Sequence, residues 1–211
     1  MTDEHRQFVD AVMAIVTADD GAVAQNNIQR YFHPTEPFTG SKFEVLADRD
    51  RTNRITAADI VAVSTLSVNI PAEVAVWLLS EAGQLRVSSL LANVPANTDL
   101  WDRPELLAPD GDLWRLWSLL GTACWPEPAK GNGMGTTKIS KLLATKRPRL
   151  VPIFDRIVRD ALPPVRSHWA AFTEVLADPE RRTEISRVTA AAPDHISLLR
   201  RLDIVLWMAH S

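Results

Sequence analysis

The 211 residues are 46% hydrophobic and 23% charged, with a net charge of −3, which fits one or two folded domains with a real core and excludes a chain that is basic throughout. The single cysteine, Cys124, rules out a disulfide framework and a four-cysteine iron–sulfur cluster, and it favours a reducing compartment. No apolar run is long enough to span a membrane, no His/Cys spacing suggests a zinc site, and the polar, acidic start MTDEHRQFVD is unlike a signal peptide, so a cytoplasmic protein is expected.

Apolar residues recur mostly at three and four, the helical period, and strand signals are few. A first helix is expected over residues 5–18, with Phe8, Val12, Ile15 and Val16 on one side, ended by Asp19-Asp20-Gly21. A short second helix follows over residues 23–31. Residues 33–42, with Pro34, Pro37 and Gly40, read as a loop. Thr56 and Asp59 stand in capping-box position, ahead of a buried helix carrying Ile60, Val61, Val63, Leu66 and Val68. Pro71 opens another helix through Trp77, Leu78 and Leu79. A short helix is expected over residues 87–93 and an amphipathic one over 112–121. Beyond residue 162, helices are expected over 169–177, 179–191 and 194–208. The expected fold class is therefore all-α: a single two-lobed helical bundle, with an N-terminal lobe of about residues 1–110 and a second lobe of about 111–211.

Gly133-Met134-Gly135 precedes a helix whose first turn carries Thr136, Thr137 and Lys138. Two glycines around one apolar residue permit a tight turn with positive φ, with Met134 turned inward and backbone N–H groups turned out. The helix start adds unpaired donors and a positive dipole end. The result is an anion site that reads no base sequence. Lys138 and Lys141, on the first turns, are candidates for further phosphate contacts. The helix stops at Pro148, and a second begins near Pro152 with Asp155 in its first turn. No strand precedes the glycines, so a dinucleotide-binding reading lacks its context, and the Gly-Lys-Ser/Thr of a nucleoside-triphosphate loop is absent. Charge is uneven: from Lys130 to Asp160 eight basic residues face two acidic ones, a balance of +6 that leaves −9 for the remainder. Such an excess is the footprint of a phosphate-binding surface, and equally of an ordinary solvated helix face.

The glycine pair, the aspartate twenty residues after Gly135, and the segment Ile153-Phe154-Asp155-Arg156-Ile157-Val158-Arg159 together resemble the helix-hairpin-helix DNA glycosylase superfamily. The resemblance covers about thirty residues, roughly one seventh of the chain. It implies that the hairpin grips one DNA phosphate and that Asp155 sits at the mouth of a base pocket. There the carboxylate stabilises the oxocarbenium-like state that forms as an N-glycosidic bond breaks, and it positions water. Bifunctional members carry a lysine two residues after the second glycine. Here Thr137 stands at that place, and Lys138 lies about 100° further round the helix. The implied enzyme is thus monofunctional, cleaving the base and leaving an intact abasic site. Two features depart from the family pattern: Gly131-Asn132 replaces the usual Leu-Pro before the first glycine, and Trp125-Pro126-Glu127-Pro128 lies upstream.

Base extrusion requires a pocket, for which Trp125, Tyr31 and Phe154 are the candidate walls. No cofactor is expected, apart from a monovalent cation that the hairpin carbonyls are able to hold, as in relatives. Double-stranded DNA is the expected partner, and the expected state is a monomer. An unusual alkylated base, or a modified base of foreign DNA such as that of a bacteriophage, are the substrate classes considered. Two other readings remain open at this point: a DNA-binding module that keeps the phosphate grip without catalysis, and a helical interaction protein whose glycine pair is coincidental.

Overall fold

Six helix starts among the described residues are set by short polar side chains that accept first-turn N–H groups. The computed structural model describes residues 1–122 and 131–211, and every regular element among the described residues is helical. Two compact units are present. One is built from Met1–Phe38, Asp99–Pro104 and Pro148–Ser211, and we call it the terminal unit; the other, from Thr39–Thr98 and Glu105–Arg147, is the inserted unit. Each is assembled from separate stretches of chain, a division that cuts across the contiguous halves expected around residue 110.

The terminal unit holds α1 (Asp3–Val16), α2 (Ala22–Tyr31), α9 (Arg156–Ala161), α10 (His168–Ala177), α11 (Pro179–Val188) and α12 (Leu198–Met208). Helix α12 packs on α2 and α1, and α1 packs on α10. The core contains Phe8, Val12, Ile28, Phe172 and Leu202, with the Phe8 and Phe172 rings edge to face at 5.3 Å. Thr2, Ser167, Asp178 and Ser197 each cap a helix through a side-chain oxygen. Ser197 explains why α12 starts at Leu198 rather than at the expected residue 194. It accepts the Arg200 N–H at 3.2 Å, and its own hydroxyl donates to the Pro148 carbonyl at 2.6 Å.

The inserted unit holds α3 (Phe43–Leu46), α4 (Ala57–Ser64), α5 (Ala72–Leu79), α6 (Glu81–Ala92), α7 (Asp112–Thr122) and α8 (Thr136–Ala144). Helix α4 packs on α3, α5 and α8. Its expected capping box is present: the Asp59 carboxylate accepts the Thr56 N–H at 2.7 Å and the Thr56 hydroxyl at 2.9 Å. The helix is shorter than its apolar run suggests. The Ser64 and Thr65 hydroxyls bond back to the Val61 and Ala62 carbonyls, and Ser67 has left the helical region at φ +61°. Val61, expected inside, is 54% exposed. Helix α6 begins six residues before its expected start, because Ser80 accepts the Gly83 N–H at 3.2 Å. The expected loop over residues 33–42 runs into a 3-10 turn, Thr39–Lys42, and then α3. A four-residue helix is too short to display a period.

Candidate hairpin and carboxylate site

Asn132 braces the glycine turn of the inserted unit. Buried to 7% exposure, it donates from Nδ2 to the Leu120 carbonyl near the end of α7, at 2.8 Å, and accepts the Met134 N–H on Oδ1 at 3.0 Å. Both functions of one amide are thus used to tie the turn to the preceding helix, which is what an asparagine offers in a tight turn. In sequence Asn132 reads only as a departure from the family pattern, and its place directly before Gly133 is the one signal of this role. Gly133 adopts φ +71°, and a Cβ there would meet Pro71 Cγ at 3.1 Å. Met134 is 7% exposed, turned into the unit as expected. Gly135 differs from the expectation of two left-handed glycines. It has φ −88° and ψ 174°, extended geometry open to any residue, and a Cβ at this position meets nothing within 4 Å. As N-cap of α8, Gly135 brings no side-chain oxygen, so no cap side chain accepts from the first-turn N–H groups. Its carbonyl accepts the Lys138 and Ile139 N–H groups at 3.0 and 3.1 Å. Gly133, Gly135 and Thr136 are exposed, and Thr137 and Lys138 are half-buried. This surface presents backbone, hydroxyls and one ammonium.

Three cations of the basic stretch, Lys141, Lys146 and Arg147, are turned inward, while Arg149, Arg156 and Arg159 are exposed. Lys141, a candidate phosphate contact, is 4% exposed and donates from Nζ to the Leu66 carbonyl at 2.9 Å, where it neutralises part of the negative end of α4. That placement corrects the expectation of a phosphate-facing lysine. Lys146 is fully buried against Asp59, Nζ to Oδ2 2.7 Å, and also donates to the Asp48 carbonyl at 2.6 Å. Arg147, 1% exposed, spends all five N–H donors. Nε reaches Val94 O; one terminal nitrogen reaches Thr52 O and Lys146 O, and the other Asn53 Oδ1 and Leu91 O. Burial lowers its pKa to about 10, so it remains a cation at neutral pH. In the terminal unit, Arg149 is held by both oxygens of Asp99, and Arg159 pairs with Asp160 at 2.9 Å.

Asp155 belongs to the terminal unit and the hairpin to the inserted one. Residues 151–154 are buried and non-helical, so the helix expected from Pro152 begins only at Arg156. Proline at 152 disfavours a helical conformation for its predecessor and supplies no N–H. Asp155 is the N-cap itself, with φ −103° and ψ 175°. One carboxylate oxygen accepts the Val158 N–H at 3.1 Å, and its carbonyl accepts the Arg159 N–H at 2.9 Å. The carboxylate is thereby fixed by the backbone and is half-buried.

The candidate pocket walls are placed differently. Phe154 is 6% exposed and lies against the His168 ring, centroids 3.4 Å apart. Burial, and then the nearby Arg159, lower the His168 pKa to about 4, with Glu4 opposing. Tyr31 is 3% exposed: its hydroxyl accepts from Arg200 at 2.8 Å and its ring stacks on Phe38 at 5.7 Å, with Trp207 edge-on at 6.4 Å. Both rings are packing residues rather than open walls, a correction that follows from their neighbours. Trp125 lies outside the described residues. Among the described residues, no helix is long and apolar enough to cross a membrane.

No curated protein and no solved structure matches the chain. A family model does, over residues 4–210, and the chain therefore belongs to that family, DUF6308, described as a family of unknown function.

Proposed function

We propose that this protein is a monofunctional DNA glycosylase that removes a damaged or modified base from double-stranded DNA. The observation that carries the reading is the hairpin itself: Gly133 left-handed, Met134 buried, and Gly135 capping α8 without a side-chain acceptor. Such a turn supports a single phosphate on backbone N–H groups and the helix dipole. Asp155, twenty residues on, supplies the carboxylate. Ionised, it stabilises the positive charge that builds on the sugar as the bond from C1′ to the base nitrogen breaks, and it positions the water that adds to C1′. The base departs with the proton that balances the water's hydroxide. Thr137 stands where a lysine nucleophile is needed for strand cleavage, so the abasic strand stays whole.

A second reading is favoured by one observation. The Asp155 cap bond to Val158 accounts for an aspartate at this position without any chemistry, which leaves a non-catalytic DNA-binding module. Asp155→Asn separates the two readings, because asparagine is as good an N-cap as aspartate but carries no charge. Wild type and variant are incubated with undamaged, alkylated, oxidised, deaminated and phage-modified duplexes. Released base is read by mass spectrometry, and strand breaks before and after hot alkali. The proposal expects release by wild type alone, with breaks only after alkali. Breaks without alkali overturn the monofunctional assignment. Salt-dependent binding with no release from any duplex favours the binding module, and neither release nor binding overturns both.

A further inference from the structure

The inserted unit has a cavity of about 420 Å³ whose walls include Arg51, Arg54, Ile55, Ala57, Leu79 and Gln84. We infer that it is a binding site for a small phosphorylated molecule with an apolar body, held by the guanidinium of Arg54. The site is independent of the hairpin and of Asp155.

Gln84 makes the case. Its Nε2 donates both protons to backbone carbonyls, Ile55 O at 2.5 Å and Leu78 O at 2.6 Å. The amide therefore has one orientation, with Oε1 turned the other way, and Oε1 accepts Arg54 Nε at 3.2 Å. Arg54 is thus positioned from below by a side chain that is itself fixed at two points. The four remaining N–H donors of its guanidinium meet no carboxylate among the described residues. An arginine held by Nε presents its terminal nitrogens as a planar fork, the geometry that matches two phosphate or carboxylate oxygens. Arg51 lies on the same wall. Its pairing with Asp48, 3.5 Å on a side chain 66% exposed, is of the solvent-screened kind that a ligand anion displaces at little cost. The start of α4 is not the receptor here: Asp59 already occupies the Thr56 cap, and Lys146 balances Asp59.

The remaining walls select the rest of the ligand. Ile55 is buried, Ala57 is exposed, and Leu79 is 46% exposed. A leucine that far into solvent, beside an arginine that meets no carboxylate among the described residues, fits a ligand with an apolar portion next to its anion. The cavity has the size of a small-molecule site. Free phosphate and an organic phosphate share the arginine contact, but only the second covers Leu79.

The test is calorimetric titration of the full chain with phenyl phosphate and with inorganic phosphate, repeated for Arg54→Gln and for Leu79→Ser. Both residues are exposed, and circular dichroism checks that each variant is folded. Saturable binding of phenyl phosphate is expected, about tenfold tighter than inorganic phosphate because the ring covers apolar wall. Arg54→Gln is expected to remove binding of both probes. Leu79→Ser is expected to remove only the preference for phenyl phosphate. Wild type that binds neither probe, or an Arg54→Gln variant that binds as wild type does, overturns the assignment. Equal affinity for both probes overturns the apolar half of it. A glycosylase assay reads none of these outcomes, so failure of the site and failure of the proposed activity remain distinct.

Discussion

The two hairpin glycines are predicted to respond in opposite ways to the same change. At Gly133, alanine must adopt φ +71°, which costs an L-residue about 1–2 kcal/mol. Its Cβ also lands 3.1 Å from Pro71 Cγ, closer than ordinary carbon contact, so Pro71 has to give way. The lower entropy of the unfolded alanine chain returns roughly 0.4–1 kcal/mol, leaving a net loss of about 1–2 kcal/mol. For a chain of this size that is roughly 2–8 °C in Tm. Gly135→Ala meets neither penalty, since its φ is −88° and its Cβ has open space. Alanine is a worse N-cap than glycine, by about 0.5–1 kcal/mol, and the entropy gain of about 0.4–1 kcal/mol offsets this, so Tm should stay within about 2 °C. The functional outcome is reversed. A methyl at Gly135 stands on the exposed backbone that a phosphate oxygen must approach, so duplex affinity should fall about tenfold, a loss of about 1.4 kcal/mol. Differential scanning calorimetry gives the first pair of values and fluorescence anisotropy with a labelled duplex the second. Equal Tm losses at the two positions would refute the conformational argument. A Gly135→Ala protein that is stable and binds DNA as wild type does would refute the phosphate grip.

Three further outcomes are expected. Lys146→Met leaves the Asp59 carboxylate buried without its cation and should cost about 3–5 kcal/mol in urea denaturation; adding Asp59→Asn should recover part of that loss, and strictly additive losses would show that the pair is not coupled. Lys141→Met should lower stability by about 1–3 kcal/mol through the stranded Leu66 carbonyl yet leave the salt dependence of duplex binding unchanged; a slope smaller by about one would mean that Lys141 does reach a phosphate. The His168 pKa, lowered to about 4 by burial, means that the unfolded chain binds the proton more readily than the folded one. Stability from this group is full above the unfolded pKa of about 6.5 and is lost as pH falls toward about 4. His168→Gln should therefore flatten the fall in Tm between roughly pH 6.5 and 4, and a variant with the wild-type profile would disprove the assignment.

What was legible in the sequence was local. The Thr56–Asp59 capping box, the left-handed Gly133 and the buried Met134 depend on residues within a few positions of one another, and each is found as expected. Asp155 at a helix start is of the same kind, displaced by a single step from first turn to cap. What could not be read were contacts whose partners are far away along the chain. Lys141 finds its carbonyl 75 residues away, Lys146 finds Asp48 98 away, and Arg147 finds Val94 53 away. Nothing in a run of lysines and arginines distinguishes a cation that faces a phosphate from one that closes a helix end or fills a core. Tyr31 fails for the same reason, since Arg200 lies 169 residues from it.

This asymmetry decides how much each sequence clue is worth for function. The +6 window is ambiguous in sequence between a phosphate-binding surface and a solvated helix face, and three of its cations are consumed inside the inserted unit by carbonyls, the Asn53 amide and Asp59. Their presence is explained without DNA, so they cannot also be counted as evidence for it. The proposed activity then stands on two local features, a hairpin with a bare helix start and a carboxylate held at a cap. Those two features are separable. Gly135→Ala acts on the grip and leaves the carboxylate alone, while Asp155→Asn keeps the cap and removes the charge. An enzyme needs both; a binding module needs only the first; a protein whose glycine pair is a simple turn needs neither. The two variants together therefore assign the chain to one of the three classes, and no count of basic residues can.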